Sequence, residues 1–376
     1  MFNQKFVSNF SIICFLINFT LSQLILSLPI IFSRVAGTAA YLVSIYIAIL
    51  IFLLMSLMTK LYHPFWGLNI FTIAKYAFGN IGSKILSSLY TIIFVILTVF
   101  FLREVSETMK ILLFDTTPIL IISLFFTVSM IIGATAGLEG IVRACGYIIP
   151  IAILGVIITL IFAIPYFDIN RLYPLGGHGL SPILTDGLLR ISAYLGFIYL
   201  FDFVNYVRDE KEFKKIYTIY VIISFILITI TLLANTLIFA YPYTDSNFFA
   251  LYEIAKLTTL NSFFLRSEII YIFTLMIISF MFIISLYYAT LNFFYTTIST
   301  KTNIWTNIAI GVIIFALSNI PDNLLQVFNY YNVFNNYILI PIAFVLPFLI
   351  VAIANIKRLK DRSGYEKFVS CFNNTN

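Results

Sequence analysis

A chain of 376 residues that is 61% hydrophobic, only 10% charged and has a mean hydropathy of +1.03 is not a water-soluble globule, since soluble domains carry roughly 25% charged residues. Its net charge of +6 bears on orientation in a membrane and not on nucleic acid. Three cysteines and two well-separated histidines, His63 and His178, offer neither a disulfide framework nor a metal-ligand cluster, and no cofactor is expected.

A polar tip, Met1 to Asn9, precedes an apolar run from about Phe10 to Phe32. The run is too long for a signal peptide and lacks a small-residue cleavage pattern, so it should remain as a first crossing. Inside it stand Asn18, Thr20, Ser22, Gln23 and Ser27, just before Pro29. Polar groups in hydrocarbon need partners. Either a discontinuous helix lining a cavity supplies them, or Ser and Thr bond back to their own helix while Gln23 reaches a neighbour.

A second crossing spans about Ala39 to Met58. The connection from Lys60 to Ser83 holds a turn at His63-Pro64-Phe65-Trp66-Gly67 and a short surface helix over Asn69 to Phe78. The third crossing, about Lys84 to Leu102, runs on into Arg103-Glu104-Val105-Ser106-Glu107. Arg103 and Glu107 lie four apart, which reads as an ion-paired helix at the outer rim. Fourth and fifth crossings follow at about Pro118 to Ala136 and Arg143 to Phe167. Between them Glu139 and Arg143 are again four apart with the acid first, the favourable order for a pair worth a few tenths of a kcal/mol.

Gly176-Gly177-His178-Gly179 has no strand before it and no Gly-Lys-Ser/Thr after it, so it reads as a flexible external loop and not as a phosphate cradle. The sixth crossing, about Asp186 to Val207, contains Tyr194, Gly196, Tyr199 and Asp202. A carboxylate inside a crossing normally faces the protein interior and is a functional candidate. Asp202 is some five residues past the middle, roughly 7.5 Å along a helix, so pairing with the basic rim fits it equally well. Charged residues Arg208 to Lys215 lead into a seventh crossing, about Ile216 to Ala240. The long connection Tyr241 to Arg266 places Phe248, Leu251, Ile254 and Ala255 at helical spacing, which predicts a surface helix over the outer mouth. Eighth, ninth and tenth crossings are predicted at about Glu268 to Leu291, Ile304 to Ile320 and Phe334 to Ile356, followed by a basic tail at 357–376.

The reading is thus an all-α polytopic membrane protein of about ten transmembrane helices, one membrane domain over residues 1–356. Of the 22 Lys and Arg, 15 fall on the side of the two termini and 7 on the other, so both termini are expected in the cytoplasm. No Ser-His-Asp set, P-loop or pair of facing carboxylates stands out, and no enzyme is expected.

Gly137-Leu138-Glu139 with Arg143, then an apolar crossing, then Asp168 with Leu172 and Pro174, resembles the B-subunit permeases of GerA-type nutrient germinant receptors of endospore-forming bacteria. Leu26-Ser27-Leu28-Pro29, Thr117-Pro118 and Arg266-Ser267-Glu268 occur where that family carries its Leu-x-Leu-Pro, Thr-Pro and Arg-x-Glu. The resemblance implies the amino acid/polyamine/organocation superfamily fold: two inverted five-helix repeats, here about 10–167 and 186–356, with ligand held where helices 1 and 6 break. The family has a glycine at the first break, residues 1–36 have none, and the break is therefore expected at Ser22-Gln23. On this basis Ser22, Gln23, Leu26, Ser27, Tyr194, Gly196, Tyr199 and Asp202 are the expected ligand-binding residues, with Pro29, Gly137, Glu139, Arg143, Arg266 and Glu268 in structural or coupling roles.

The function implied is a membrane subunit of a germinant receptor in the spore inner membrane, binding a small germinant, foremost an amino acid, and acting with A and C subunits. Two other classes fit: an H⁺- or Na⁺-coupled amino-acid transporter, and a scaffold with a degenerate pocket. For proton coupling Asp202 is the one clear deep carboxylate in this reading, and the adjacent Ser/Thr pair of sodium-coupled relatives is missing, since Ser279 and Ser285 stand alone.

Overall fold

The computed structural model describes residues 7–201, 203–207, 209–257, 267–361, 365 and 368. Among these every regular element is helical: α1 (Asn9–Ile25), α2 (Leu28–Ala36), α3 (Ala40–Tyr62), α4 (Ile70–Leu112), α5 (Ile119–Ala134), α6 (Gly137–Ala163), α7 (Leu180–Leu188), α8 (Gly196–Leu200), α9 (Glu210–Ile238), α10 (Ala250–Leu257), α11 (Ser267–Ile298), α12 (Ile304–Ser318), α13 (Leu324–Phe334) and α14 (Leu346–Lys360). Six helical stretches are long and apolar enough to cross a membrane. Leu180–Leu188 with Ile191–Leu200 forms a further pair bent by 45°, and Asn9–Ile25, Ile119–Ala134 and Ile304–Ser318 are shorter apolar helices.

The first helix is broken at Leu26-Ser27 and not at Ser22-Gln23. Continuing α1 through Pro29 would drive the proline ring into the carbonyl of Ile25 four residues earlier. The helix stops instead: Leu26 turns to φ −83°, ψ −101°, and α2 restarts with Pro29 in its first turn. The released Ile25 carbonyl accepts a hydrogen bond from the Tyr271 hydroxyl of α11 at 3.1 Å. Upstream the ladder is intact, because the Ser22 hydroxyl bonds back to the Asn18 carbonyl at 2.6 Å and the Leu26 N–H reaches the Ser22 carbonyl.

The second break lies earlier than the sequence suggests. Helical structure starts at Leu180, and the N–H groups of Leu189 and Arg190 bond to carbonyls only three residues back, at Asp186 and Gly187. The tightened turn passes into a 3₁₀ segment, Ile191–Tyr194, and then α8.

Three further differences matter. First, α4 is kinked at Gly79 (φ 78°, ψ −175°) and beyond the kink keeps helical angles to Leu112, so Arg103 to Met109 lie inside the bundle. The Arg103–Glu107 pair is buried, 2.7 Å long with side chains 5% and 12% exposed, where a rim pair was expected. Second, the glycine segment is docked. His178 N–H bonds to the Ala36 carbonyl, the Thr38 hydroxyl donates to the Pro174 carbonyl at 2.6 Å, and the His178 ring lies 2.9 Å from the Tyr241 hydroxyl. The segment thereby serves the last carbonyls of α2, which have no partner within their own helix. Third, the tail is not wholly detached: Lys357 Nζ donates to the Tyr76 carbonyl at 2.7 Å, and the Tyr365 ring packs on Phe65 and Tyr76. As expected, the connection after Tyr241 carries a helix, α10, with Leu251, Ile254 and Ala255 buried.

Gly177 is the position that fixes the docked segment. Its φ is +52°, and a Cβ there would sit 1.8 Å from the Ala36 carbonyl oxygen. Gly177→Ala should lower the thermal unfolding midpoint of the purified chain by the equivalent of at least about 1 kcal/mol, the cost of the left-handed conformation alone. Gly176→Ala, where nothing lies within 4 Å of the added carbon, should leave it unchanged; equal midpoints for the two variants would refute this account.

Candidate functional site

The two broken helices meet. Gln23, in the last turns of α1, donates from Nε2 to the Ser192 carbonyl just past the break of the other helix, at 3.3 Å. A third element joins them where α13 passes through two π-helical segments, Asn335–Leu339 and Pro341–Val345, into α14. Such widened turns free carbonyls and shift side chains, and they recur at functional sites. Asn335 Nδ2 donates to the Leu189 carbonyl at 3.2 Å, and Arg190 Nη1 donates to Asn332 Oδ1 at 3.2 Å.

Two small cavities open at this meeting point, with Ser27 and Tyr331 in the walls of both. One is lined by Leu26 and Ser27 at the end of α1 and by Glu104 and Thr108 of α4. The other is lined by Leu28 and Ile31 at the start of α2, with Gln23, Arg190, Ser192 and Asn335. Glu104 is 8% exposed and lies against the Ser27 hydroxyl. Among the described residues neither Glu104 nor Arg190 has an oppositely charged side chain within ion-pair distance. Among the described residues Arg190 Nε and Asn335 Oδ1 are buried without hydrogen-bond partners. Unpaired buried polar atoms cost free energy. Each cavity has about 10 Å³ of room, enough for about one water. The site is closed.

Aromatic side chains line both cavities, with Phe32 and Phe101 in the wall of the Arg190 cavity. Phe248 and Phe249, from the connection before α10, line the Glu104 cavity together with Phe328. The Phe248 and Phe328 rings meet edge to face at 5.4 Å, and the Arg34 guanidinium stands over both, 5.6 and 4.9 Å from their centroids. Phe15, Phe19, Phe94 and Tyr199 form a packed cluster with centroid spacings of 5.0 to 5.4 Å.

Of the residues singled out from sequence, Gln23, Leu26 and Ser27 line the cavities, and Pro29 sits in the first turn of α2. Ser22 does not line them, being tied to its own helix. Tyr194 is fully buried against Tyr220. Gly196 is a packing position, since a Cβ would come within 2.9 Å of the Leu16 carbonyl. The Tyr199 hydroxyl donates to the Ser285 carbonyl at 3.0 Å. Gly137 opens α6 at φ +69°, and Glu139–Arg143 is a 2.5 Å ion pair, 30% and 60% exposed, at the rim. Glu268 lies in the first turn of α11, half-buried. Asp202 and Arg266 lie outside the described residues.

Sequence reasoning passed over Glu104, Arg190, Tyr331 and Asn335. The signal for Glu104 was present: residues 84–115 contain neither Gly nor Pro, so nothing in that stretch ends the third crossing before Glu104. No comparable signal existed for Tyr331 and Asn335, because local π turns leave no pattern in hydrophobicity.

Comparison with known proteins places this geometry in a family. A family model described as spore germination protein matches residues 6–327. Spore germination protein A2 of Bacillus subtilis (strain 168) is 26% identical over 259 residues, covering 68% of this chain and 70% of that protein. Spore germination protein KB of the same organism is 26% identical over 307 residues, covering 78% and 81%. Among solved structures, the nucleobase-cation-symport-1 family transporter Mhp1, in a closed conformation with bromovinylhydantoin bound, superposes with a TM-score of 0.60 at 13% identity over 92% of this chain and 77% of its own. A manganese transporter of Eremococcus coleocola gives 0.55 at 13% identity over 92% and 75%. The fold is therefore that of polytopic membrane transporters, and the chain belongs to the spore germination protein family.

Proposed function

We propose that this chain is the germinant-binding membrane subunit of a nutrient receptor, and that its germinant is a small zwitterion, an amino acid first of all. The observation that carries the reading is the placement of one negative and one positive side chain, Glu104 and Arg190, on either side of Tyr331 where two helices break. The backbone supports the same polarity. The C-terminal end of α1, which favours a cation, borders the Glu104 cavity, and the N-terminal end of α2, which favours an anion, borders the Arg190 cavity. An ammonium group against Glu104 and Ser27, with a carboxylate against Arg190, would use both.

The closed cavities cannot hold an amino acid, so binding requires Ser27 and Tyr331 to part and the Phe248–Phe328 cover to lift. A ligand then acts by favouring the opened form, and only its differential affinity for the two forms can produce a signal. In this reading partner A and C subunits sense the shift, the protein lies in the spore inner membrane, and both termini face the cytoplasm, as the distribution of Lys and Arg supports.

Binding of a radiolabelled amino-acid panel to the reconstituted chain tests the site. Glu104→Gln and Arg190→Gln should each weaken saturable binding roughly thirty-fold or more, the effect of removing one member of a buried charged set. Glu139→Gln, at the exposed rim, should change it less than about five-fold. Unaltered binding in both cavity variants would place the site elsewhere.

One observation favours the second reading, a coupled transporter: Glu104 is a carboxylate enclosed in the bundle, the kind of group proton coupling uses. Sealed proteoliposomes with imposed proton and sodium gradients separate the two. A receptor should show saturable binding without accumulation; uptake above the bound amount, abolished in Glu104→Gln, would establish transport instead.

A further inference from the structure

Sharing no residue with the central cavities, α1, α6 and α9 line a cleft of about 630 Å³. Its walls are apolar, with Ile13 and Ile17 from α1, Leu154 from α6 and Ile219 and Ile223 from α9, and Lys215 stands at its edge. One face of α9 reads Lys211, Lys215, Ile219, Ile223 at four-residue intervals, so these side chains stack in a single row. The row changes from cationic to aliphatic over 12 residues, about 18 Å of helix.

The neighbouring helices repeat the order. On α6, Arg143 and Tyr147 precede Pro150 and Leu154, and on α1 Asn9 precedes Ile13 and Ile17. In the lining itself the polar members are Asn9 of α1 and Lys215 of α9, each the first residue that its helix contributes, with hydrocarbon beyond them. Arg143 is engaged by Glu139, and Lys214 by Glu210. Lys211 and Lys215 are exposed and are in no ion pair with a described residue.

We infer that the cleft is a binding site for one anionic glycerophospholipid, its phosphate at Lys211 and Lys215 and an acyl chain along Ile219 and Ile223. The charge sequence is what commits the site to this occupant. A zwitterionic lipid brings its own ammonium group to the lysines, and a soluble anion leaves the hydrocarbon wall uncovered. Basic pockets between transmembrane helices recognise anionic headgroups on the same physical ground. The site is independent of the central cavity and stands whether or not that cavity binds an amino acid.

The full chain, reconstituted in phosphatidylcholine vesicles containing a minority of phosphatidylglycerol and released for native mass spectrometry, provides the test. Phosphatidylglycerol should be retained in preference to phosphatidylcholine at one molecule per chain. Lys215→Gln should reduce that preference roughly five-fold, and Lys211→Gln with Lys215→Gln further. Ile219→Trp, which fills the hydrocarbon wall without touching charge, should lower retention of both lipids. Equal retention of the two headgroups, an undiminished preference in the double variant, or full retention in Ile219→Trp would each overturn the assignment.

Discussion

The collision that Pro29 would make with the Ile25 carbonyl governs the centre of this molecule. A helix crossing hydrocarbon normally satisfies all its backbone groups internally, which leaves nothing for a polar ligand to use. Removing one N–H and obstructing one carbonyl ends α1 in mid-bundle and forces a restart at Leu28. The freed ends then have to be answered by protein. Tyr271 answers the Ile25 carbonyl, Gln23 crosses to Ser192, and the glycine segment serves the far end of α2. The positions of α7, α8 and the 174–179 segment follow from those needs.

Two charges stand at the same break. An isolated charge within a bilayer costs several kcal/mol, and dipoles or a partner can offset that cost. Glu104 and Arg190 are not paired with each other; Glu104 borders the C-terminal end of α1 and Arg190 the N-terminal end of α2, each the helix end that shares its own sign, so the break does not neutralise either charge. Such an arrangement is weaker than a direct ion pair in the empty state, and it leaves both groups able to engage a ligand. Arg103 and Glu107, one helical turn apart on the same α4, show the contrast: they satisfy each other at 2.7 Å and hold α4 to Asn319 and Asp322. One pair stabilises the scaffold while its neighbours stay available.

How much of this was legible depended on whether the feature was written in local pattern. The all-helical membrane architecture was, because apolar runs of this length have one stable fate in a membrane. So was the polar cluster of the first helix, and Gln23, Leu26 and Ser27 do border the cavities. The exact break was misplaced because a family glycine was sought, while the residue that breaks the helix, Pro29, acts four positions upstream of itself. Tyr194 and Gly196 lie past the tightened turn at Asp186 to Arg190, which places the break near the start of the sixth crossing. Glu104 was lost by ending a crossing at the first charge, a rule that fails when charges are buried by other helices.

The closed site adds a constraint on signalling. About 10 Å³ on each side of Ser27 and Tyr331 admits a water and excludes an amino acid, so the proposed germinant binding would require a more open form than this one. The apparent affinity is then the intrinsic affinity reduced by the fraction of opened molecules. The Arg34 guanidinium over Phe248 and Phe328, anchored by its bond to the Asp245 carbonyl at 2.9 Å, helps set that fraction, because opening must break contacts that involve no ligand. In the proposed receptor reading, a tighter cover would raise the threshold concentration and leave the chemical selectivity of Glu104 and Arg190 untouched. Threshold and selectivity would then sit on separate residues of the same path, and either could vary without the other.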